Sequence, residues 1–502
     1  MFNRSCGVLC HISSIPGKYG IGTFGKEAVE FARFLRSMDI RAWQVLPLCP
    51  TDDYNSPYAG CSAFAGNPFF IDPEILFEEK LLTKEELDSA VASQPYSADF
   101  KFLKETRIPL FKKAFDRFKK DNMSTLDSFL KENPSLDDYA LFTALKDAND
   151  QKPWWEWKKD VRMRDEEAII KAKEELSDEY YFALFLQYQF QKQYFALRKT
   201  VNEMGISIIG DMPIYLAHDS ADVWANPSIF SIDTKTCALR SCAGVPPDYF
   251  SQDGQLWGNP LYNWDEMKKD NYSWWIKRCE YSFSLYDAVR IDHFRAFSAY
   301  WSVPNGKSAK EGKWIKGPGM DFFNALNEKY PNPPIIAEDL GDIDDDVRNL
   351  VKDTRFPGMG VMQFAFLSDG DNTHMPYNYS SSTVAYTGTH DNNTILGWLW
   401  ESDDAGRRRI CTYCGFEGDW GQGGADAPCI KAIIRTLFES SALLAIVPVQ
   451  DLVGFGADTR MNTPGLADGN WAFRITKESL DCVNKDFFRK ISNMYNRNQN
   501  LI

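Results

Sequence analysis

The sequence has no excess of base: 56 Lys and Arg stand against 70 Asp and Glu, giving a formal net charge of −14. Binding of a polyanion needs clustered cations to neutralise phosphates, so nucleic acid is not an expected partner, whereas a neutral ligand stays open. No window is apolar for long enough to cross a bilayer, and the start, MFNRSCGVLCHISSIPG, lacks a basic stretch followed by an apolar run of signal-peptide length. The expectations are no membrane partner and a cytoplasmic location. A P-loop, a dinucleotide glycine fingerprint and His/carboxylate ligands at metal spacing are also lacking, so neither cofactor nor metal is expected. The 11 cysteines are odd in number and show no framework spacing. Their one C-x-x-C pair, Cys411 and Cys414, has no second pair and no neighbouring His, which reads as free thiols in a reducing compartment.

Aromatic residues, by contrast, are abundant at 14%, with 15 Trp, a supply suited to stacking on the apolar faces of sugar rings. Short apolar or β-branched runs recur, each ending in a polar cluster, and many are separated by helix-period segments, an α/β rhythm. Strands are predicted at 7–10, 42–48, 206–212, 287–292, 334–338, 359–366, 383–388 and 443–449. Eight near-continuous apolar runs with polar residues after each describe a (β/α)8 TIM barrel, whose active site is built at the carboxyl ends of the strands.

Uneven spacing locates insertions in what reads as one catalytic barrel unit over 1–502. The stretch 75–175 is rich in helix formers and charge and is expected to be a helical insertion, with the barrel helix returning at 178–204. A second insertion, 217–275, carries Gly, Pro, Tyr and Trp and reads as a loop that shapes a cleft. The lysine-rich FKKAFDRFKK reads as a solvated helix face. After the last strand the chain that remains suits a loop and a closing helix, so no separate C-terminal β-sandwich is expected.

The most informative segment is AVRIDHFRAF at 288–297. Side chains alternate along a strand, so Val289 and Ile291 can face the surrounding helices while Arg290 and Asp292 share the opposite face. A guanidinium beside Asp292 favours the ionised carboxylate, the state a nucleophile needs; a plain ion pair at a strand end is the simpler alternative. The run PIIAEDLG brings Glu338 and Asp339 to the rim, where like charge raises a carboxyl's proton affinity and suits it to general-acid work, or where an acid simply caps the next helix. TGTHDNN places His390 and Asp391 after the seventh run, and His390 can donate to a sugar hydroxyl. Carboxylates after strands four, five and seven together match the nucleophile, acid/base and transition-state partner of retaining α-glycosidic chemistry.

That arrangement is the one found in α-amylase-like barrels, and within them the chain resembles the amylomaltases, the disproportionating 4-α-glucanotransferases. The patterns that carry the resemblance are GVLCHISSIPGKYGIGTFG, WQVLPLCPTDDYNSPYAGCSAFAGNP, GDMPIYLAHDSADVW, AGVPPDYFSQDGQLWGNPLYNW, VRIDHFRAF, IIAEDLG, AYTGTHDNNT and RMNTPGLADGNWAFR, in order from the first strand to near the end. The resemblance implies transfer of α-1,4-glucan segments between maltooligosaccharides through a covalent glycosyl-enzyme, with Asp292 as nucleophile, Glu338 as acid/base and Asp391 as the third carboxylate. It also implies Tyr58, Asp211, Arg290 and His390 around the sugar whose bond breaks. Ser56, Gln255, Asp339 and Asn462 resemble positions that hydrogen-bond sugar hydroxyls, and Trp257 with the Tyr249–Phe250 pair resembles the aromatics of a loop over the cleft. The alternative is a hydrolase of the same clan, which uses the same carboxylates but passes the glycosyl unit to water.

Overall fold

The computed structural model describes residues 2–247, 252–367, 372–466 and 468–502. Eight parallel strands form one sheet: Ser5–Leu9, Ala42–Gln44, Ser207–Met212, Ala288–Ile291, Ile335–Ala337, Gly358–Val361, Thr383–Tyr386 and Leu444–Pro448. Each predicted run overlaps one of them, although the first strand starts two residues earlier than expected and the sixth one residue earlier. All but the third, which ends at Met212 as expected, stop short of the predicted carboxyl ends, because there the chain leaves the ladder to form the rim; Met362–Phe364, for example, is already a 3-10 turn. The first strand pairs with the eighth, with Ser5 opposite Leu444, and the ladder continues through strands two, three and four to five on one side and through seven to six on the other. Strands five and six complete the near-closed barrel without an extended ladder. Ala337 N–H donates to Pro357 O at 2.9 Å, and Met359 N–H donates to the side chain of Asp339 at 2.7 Å.

Side-chain alternation decides what faces the axis. Leu9, Ile209, Ala288, Ile336, Val384, Tyr386, Leu444 and Ile446 form an interior cluster, while Val289, Ile291, Ile335 and Ala337 belong to the larger core shared with the helices. Continuing the inward set one step towards the carboxyl ends gives Asp211, Arg290 and Glu338, so period-two geometry delivers these polar groups to the upper mouth of an otherwise apolar cylinder. Gly210, before Asp211, has no room for a Cβ: one would meet the Tyr286 ring at 2.1 Å.

Between strands two and three the chain forms a series of helices, including Phe100–Glu132, Leu136–Ala148 and Glu166–Glu175, before Ser177–Glu203 returns to the barrel. The Phe100–Glu132 helix buries Phe111, Ala114, Phe115 and Phe118, and its Lys112 and Lys119 pair with Asp178 at 2.6 and 2.7 Å. The lysine-rich text therefore belongs to the polar side of an amphipathic helix. Within 217–275 lie the strands Ser241–Val245 and Gln255–Pro260, which join Ala299–Pro304 and Lys313–Lys316 in a small antiparallel sheet. Two of its four strands come from after the fourth barrel strand, so its pairing is non-local and no short-range pattern announces it.

After the eighth strand come the short helices Val449–Val453, Lys477–Asp481 and Lys485–Met494. Buried Arg497 fastens the end of the chain to the first strand through Ser5 O at 3.0 Å and to Phe438 O at 2.7 Å. All 11 cysteines are free thiols. No helix among the described residues is long and apolar enough to cross a membrane.

Candidate active site

Register places Asp211 on the third strand opposite Arg290 on the fourth, both pointing inward. Arg290 Nη1 donates to Asp211 Oδ1 and Oδ2 at 2.8 and 2.7 Å, and its Nη2 reaches Asp292 Oδ1 at 2.9 Å. The forked guanidinium thus grips one carboxylate at the floor and aligns a second at the rim, which a point-charge ammonium could not do. Depth separates the roles: Arg290 and Asp211 are 4% and 3% exposed, Glu338 8%, and the side chains of Asp292 and Asp391 29% and 44%. Asp292 and Asp391 therefore face an incoming molecule, while Asp211 and Arg290 hold the frame.

Burial pushes the Asp292 carboxyl above the ordinary carboxylate range, with Arg290 opposing and the Asp211 charge adding to the rise. Glu338 is pushed higher still, first by burial, with Arg290 opposing and the neighbouring Asp292 charge reinforcing. Among the described residues no guanidinium bonds to Glu338. Its Oε1 accepts the Leu340 N–H at 2.8 Å and its Oε2 the His293 N–H at 2.6 Å. Both are raised but unequally, so that Asp292 is the more readily ionised of the two and Glu338 the one that holds its proton longer, the order a retaining glycosidase needs.

Asp391 completes the trio from the turn after the seventh strand. Burial works to raise its proton affinity, but His390 at 3.2 Å and the Asn462 amide at 2.6 Å outweigh it and bring the carboxyl down to about 2. Reciprocally, burial disfavours the His390 imidazolium while the Asp391 charge and hydrogen bond more than compensate, and its pKa is raised. Tyr58 joins the two halves: its hydroxyl donates to Asp211 Oδ2 at 2.8 Å, and its ring stacks on His390 with centroids 4.9 Å apart. Trp471 leans on both rings, making an aromatic wall beside the carboxylates.

The other residues singled out in the sequence are distributed around this centre. Ser56 Oγ accepts the Tyr58 N–H at 3.2 Å, so it shapes the turn that carries Tyr58. Asp339 commits Oδ1 to Met359 at the barrel seam. Gln255 accepts from Trp257 Nε1 at 3.1 Å, and Trp257 closes edge-on against His293 with centroids 4.9 Å apart. Tyr249 and Phe250 lie outside the described residues.

Several contributors carry no short-range sequence signal. Arg460 donates through Nη2 to Asp391 O at 2.6 Å and through Nε to Asn462 O at 2.9 Å, steadying the turn. Buried Arg295 stacks on Trp314 at 3.7 Å and reaches the Asp342 carbonyl and the Asp344 carboxylate, lashing the turn after strand four to the turn after strand five. His293 and Leu340 act through peptide N–H groups, which no residue pattern reveals. Among the described residues no cluster of His, Cys, Asp and Glu has the makings of a metal site.

Comparison with known proteins identifies the family and the fold. A family profile described as 4-alpha-glucanotransferase matches residues 10–480. A 4-alpha-glucanotransferase of Aquifex aeolicus is 42% identical over 499 residues, spanning 98% of this chain and 99% of the relative. The solved amylomaltase of Streptococcus agalactiae in complex with acarbose superimposes with a TM-score of 0.94 at 40% identity, over 98% of this chain and 99% of that one. Corynebacterium glutamicum amylomaltase, at 17% identity and a TM-score of 0.78, shares the fold.

Proposed function

Because the chain belongs to the 4-alpha-glucanotransferase family, we propose that Asp292 is its nucleophile, Glu338 its general acid and base, and Asp391 the carboxylate that orients the sugar while the bond breaks. Its reaction is 4-alpha-glucanotransfer of the amylomaltase type. The observation that carries the assignment is the unequal company of the two inward carboxylates: Asp292 faces Arg290 Nη2 at 2.9 Å, whereas Glu338 is more buried and accepts from the His293 and Leu340 backbone N–H groups.

In the first step an Asp292 oxygen attacks the anomeric carbon while Glu338 gives its proton to the departing 4-oxygen, leaving a glycosyl ester on Asp292. In the second, the 4-hydroxyl of an acceptor sugar gives its proton to Glu338 and attacks the same carbon, which frees Asp292 with the α configuration kept. Donor and acceptor are α-1,4-glucans and maltooligosaccharides, a reading supported by the sugar analogue in the S. agalactiae complex and by the Tyr58, His390 and Trp471 wall. The free thiols support a reducing, cytoplasmic setting.

The deciding experiment uses Glu338→Gln with an α-maltosyl fluoride donor, whose leaving group needs little acid. Mass spectrometry of the digested protein is expected to find the trapped glycosyl adduct on Asp292. An adduct on any other residue overturns the roles. Wild-type enzyme given maltotriose is expected to form glucose and a ladder of longer oligosaccharides, with almost no rise in reducing ends; glucose and maltose alone would mark a hydrolase.

A further inference from the structure

The chain leaves the fourth strand at Ile291 and enters a 3-10 turn at Phe294–Phe297, and the residue that makes the bend, His293, has φ 51° and ψ 48°. This left-handed conformation is uncommon outside glycine; His, Asn and Asp reach it more readily than other residues, and β-branched residues are true outliers there. The bend turns two successive peptide N–H groups towards one residue of the neighbouring strand. His293 N–H meets Glu338 Oε2 at 2.6 Å, and Phe294 N–H meets Glu338 O at 3.0 Å. The ring of His293 is tucked against Trp257, and burial holds it uncharged with a pKa lowered to about 3. It therefore adds packing without adding charge.

We propose that His293 is a positioning residue for Glu338, its left-handed backbone aiming a peptide N–H at one oxygen of the carboxyl that shuttles the proton. The inference rests on the reading of Glu338 as acid/base. Leu340 N–H serves the other oxygen, so the carboxyl is held in one plane by donors from two loops, and its rotation away from the leaving oxygen is blocked at both ends. The charged and titratable groups that act on it from the packed elements are Arg290 and Asp292 at the fourth strand and Tyr386 on the seventh strand, while Arg295 acts on the His293 ring and Asp339 turns to the Met359 N–H. Substitution at residue 293 leaves Arg290, Asp292 and Tyr386 in place.

A backbone N–H favours the ionised form. Two or three such donors can bring a carboxyl about two units down, so losing one is worth roughly one pH unit. In His293→Val the β-branched residue resists the left-handed bend and swings the N–H away. Glu338 then holds its proton more tightly, and the basic limb of kcat/KM for maltotriose disproportionation moves up by roughly one unit. In His293→Asn the bend is tolerated and the limb returns to its wild-type position. A folded His293→Val whose basic limb coincides with wild type overturns the proposal, as does a His293→Asn limb displaced as far as that of the Val variant. Should His293→Val not fold by circular dichroism, His293→Ala carries the same test. Glu338→Gln assayed with α-maltosyl fluoride separates the two readings: a basic limb that survives there shows that Glu338 is not the titrating group, whereas a limb that vanishes there but is unmoved in the 293 variants rejects the positioning role alone.

Discussion

The side-chain amide of Asn462 donates to Asp391 Oδ1 at 2.6 Å. A residue that sequence resemblance places among the sugar contacts is thus, in this structure, a partner of the third carboxylate. A hydrogen bond to a charged group contributes about 1.5–3 kcal/mol, so Asn462→Ala is expected to lower kcat/KM for maltotriose by about 10- to 100-fold. Asn462→Asp, which sets like charge against Asp391, should lose more. Initial rates of disproportionation check both; equal rates for wild type and Asn462→Ala would show the contact to be idle.

Arg290 is expected to matter to stability as well as to rate. Removing one partner of a buried pair leaves the other uncompensated, which costs about 3–5 kcal/mol. Arg290→Met strands Asp211 in this way and should lower the urea midpoint accordingly. Arg290→Lys keeps a charge but cannot fork between Asp211 and Asp292. It should therefore lie between wild type and Arg290→Met in stability while still losing most of its turnover.

The pH profile should be bell-shaped and displaced upward from that of two ordinary carboxyls. The proposed roles require Asp292 ionised and Glu338 protonated, and burial raises both, Glu338 the more. Asp211→Asn removes a negative charge that raises Asp292 and frees Arg290 to favour its ionised form. The acid limb of kcat/KM should consequently shift to lower pH in this slower variant. An acid limb that stays put would mean another group sets it.

Asp451 supplies a stability prediction unconnected to turnover. Burial pushes this carboxyl up to about 7, although it accepts from Ile395 N–H at 2.7 Å and from the Thr387 hydroxyl at 3.0 Å. The unfolded chain holds the proton less tightly, so the contribution to stability is fully present below the ordinary Asp pKa of 3.8 and is lost as pH rises through about 7. Asp451→Asn keeps the acceptor for Ile395 and places no charge in the interior. Its denaturant midpoint should gain on wild type as pH climbs from about 4 to about 7 and level off above that, and a constant difference across that window would contradict the shift.

How far the molecule could be read from its residues depended on range. In AVRID the two-residue period alone puts Arg290 and Asp292 opposite Val289 and Ile291, and the fold agrees, as it does for Glu338 after Ile336. The small sheet was not legible, because Ser241–Val245 finds its partner in Ala299–Pro304 and strands such as Lys313–Lys316 are short and largely exposed. Asn462 advertises an amide but not the carboxylate it serves. His293 advertises an imidazole, whereas the geometry around Glu338 depends on its peptide group and a torsion that residue identity does not disclose.

The seam between strands five and six has a consequence for motion. Elsewhere around the cylinder, each neighbouring pair is woven by a run of peptide hydrogen bonds; here a single carboxylate, Asp339, stands in for part of the weave by accepting the Met359 N–H. Opening there costs fewer bonds than opening anywhere else along the wall, so the amides of Met359 and its neighbours should exchange with deuterium ahead of the remaining barrel amides. The seam most easily parted adjoins Glu338, so slow opening of the wall begins beside the carboxyl to which the proposed function assigns proton transfer.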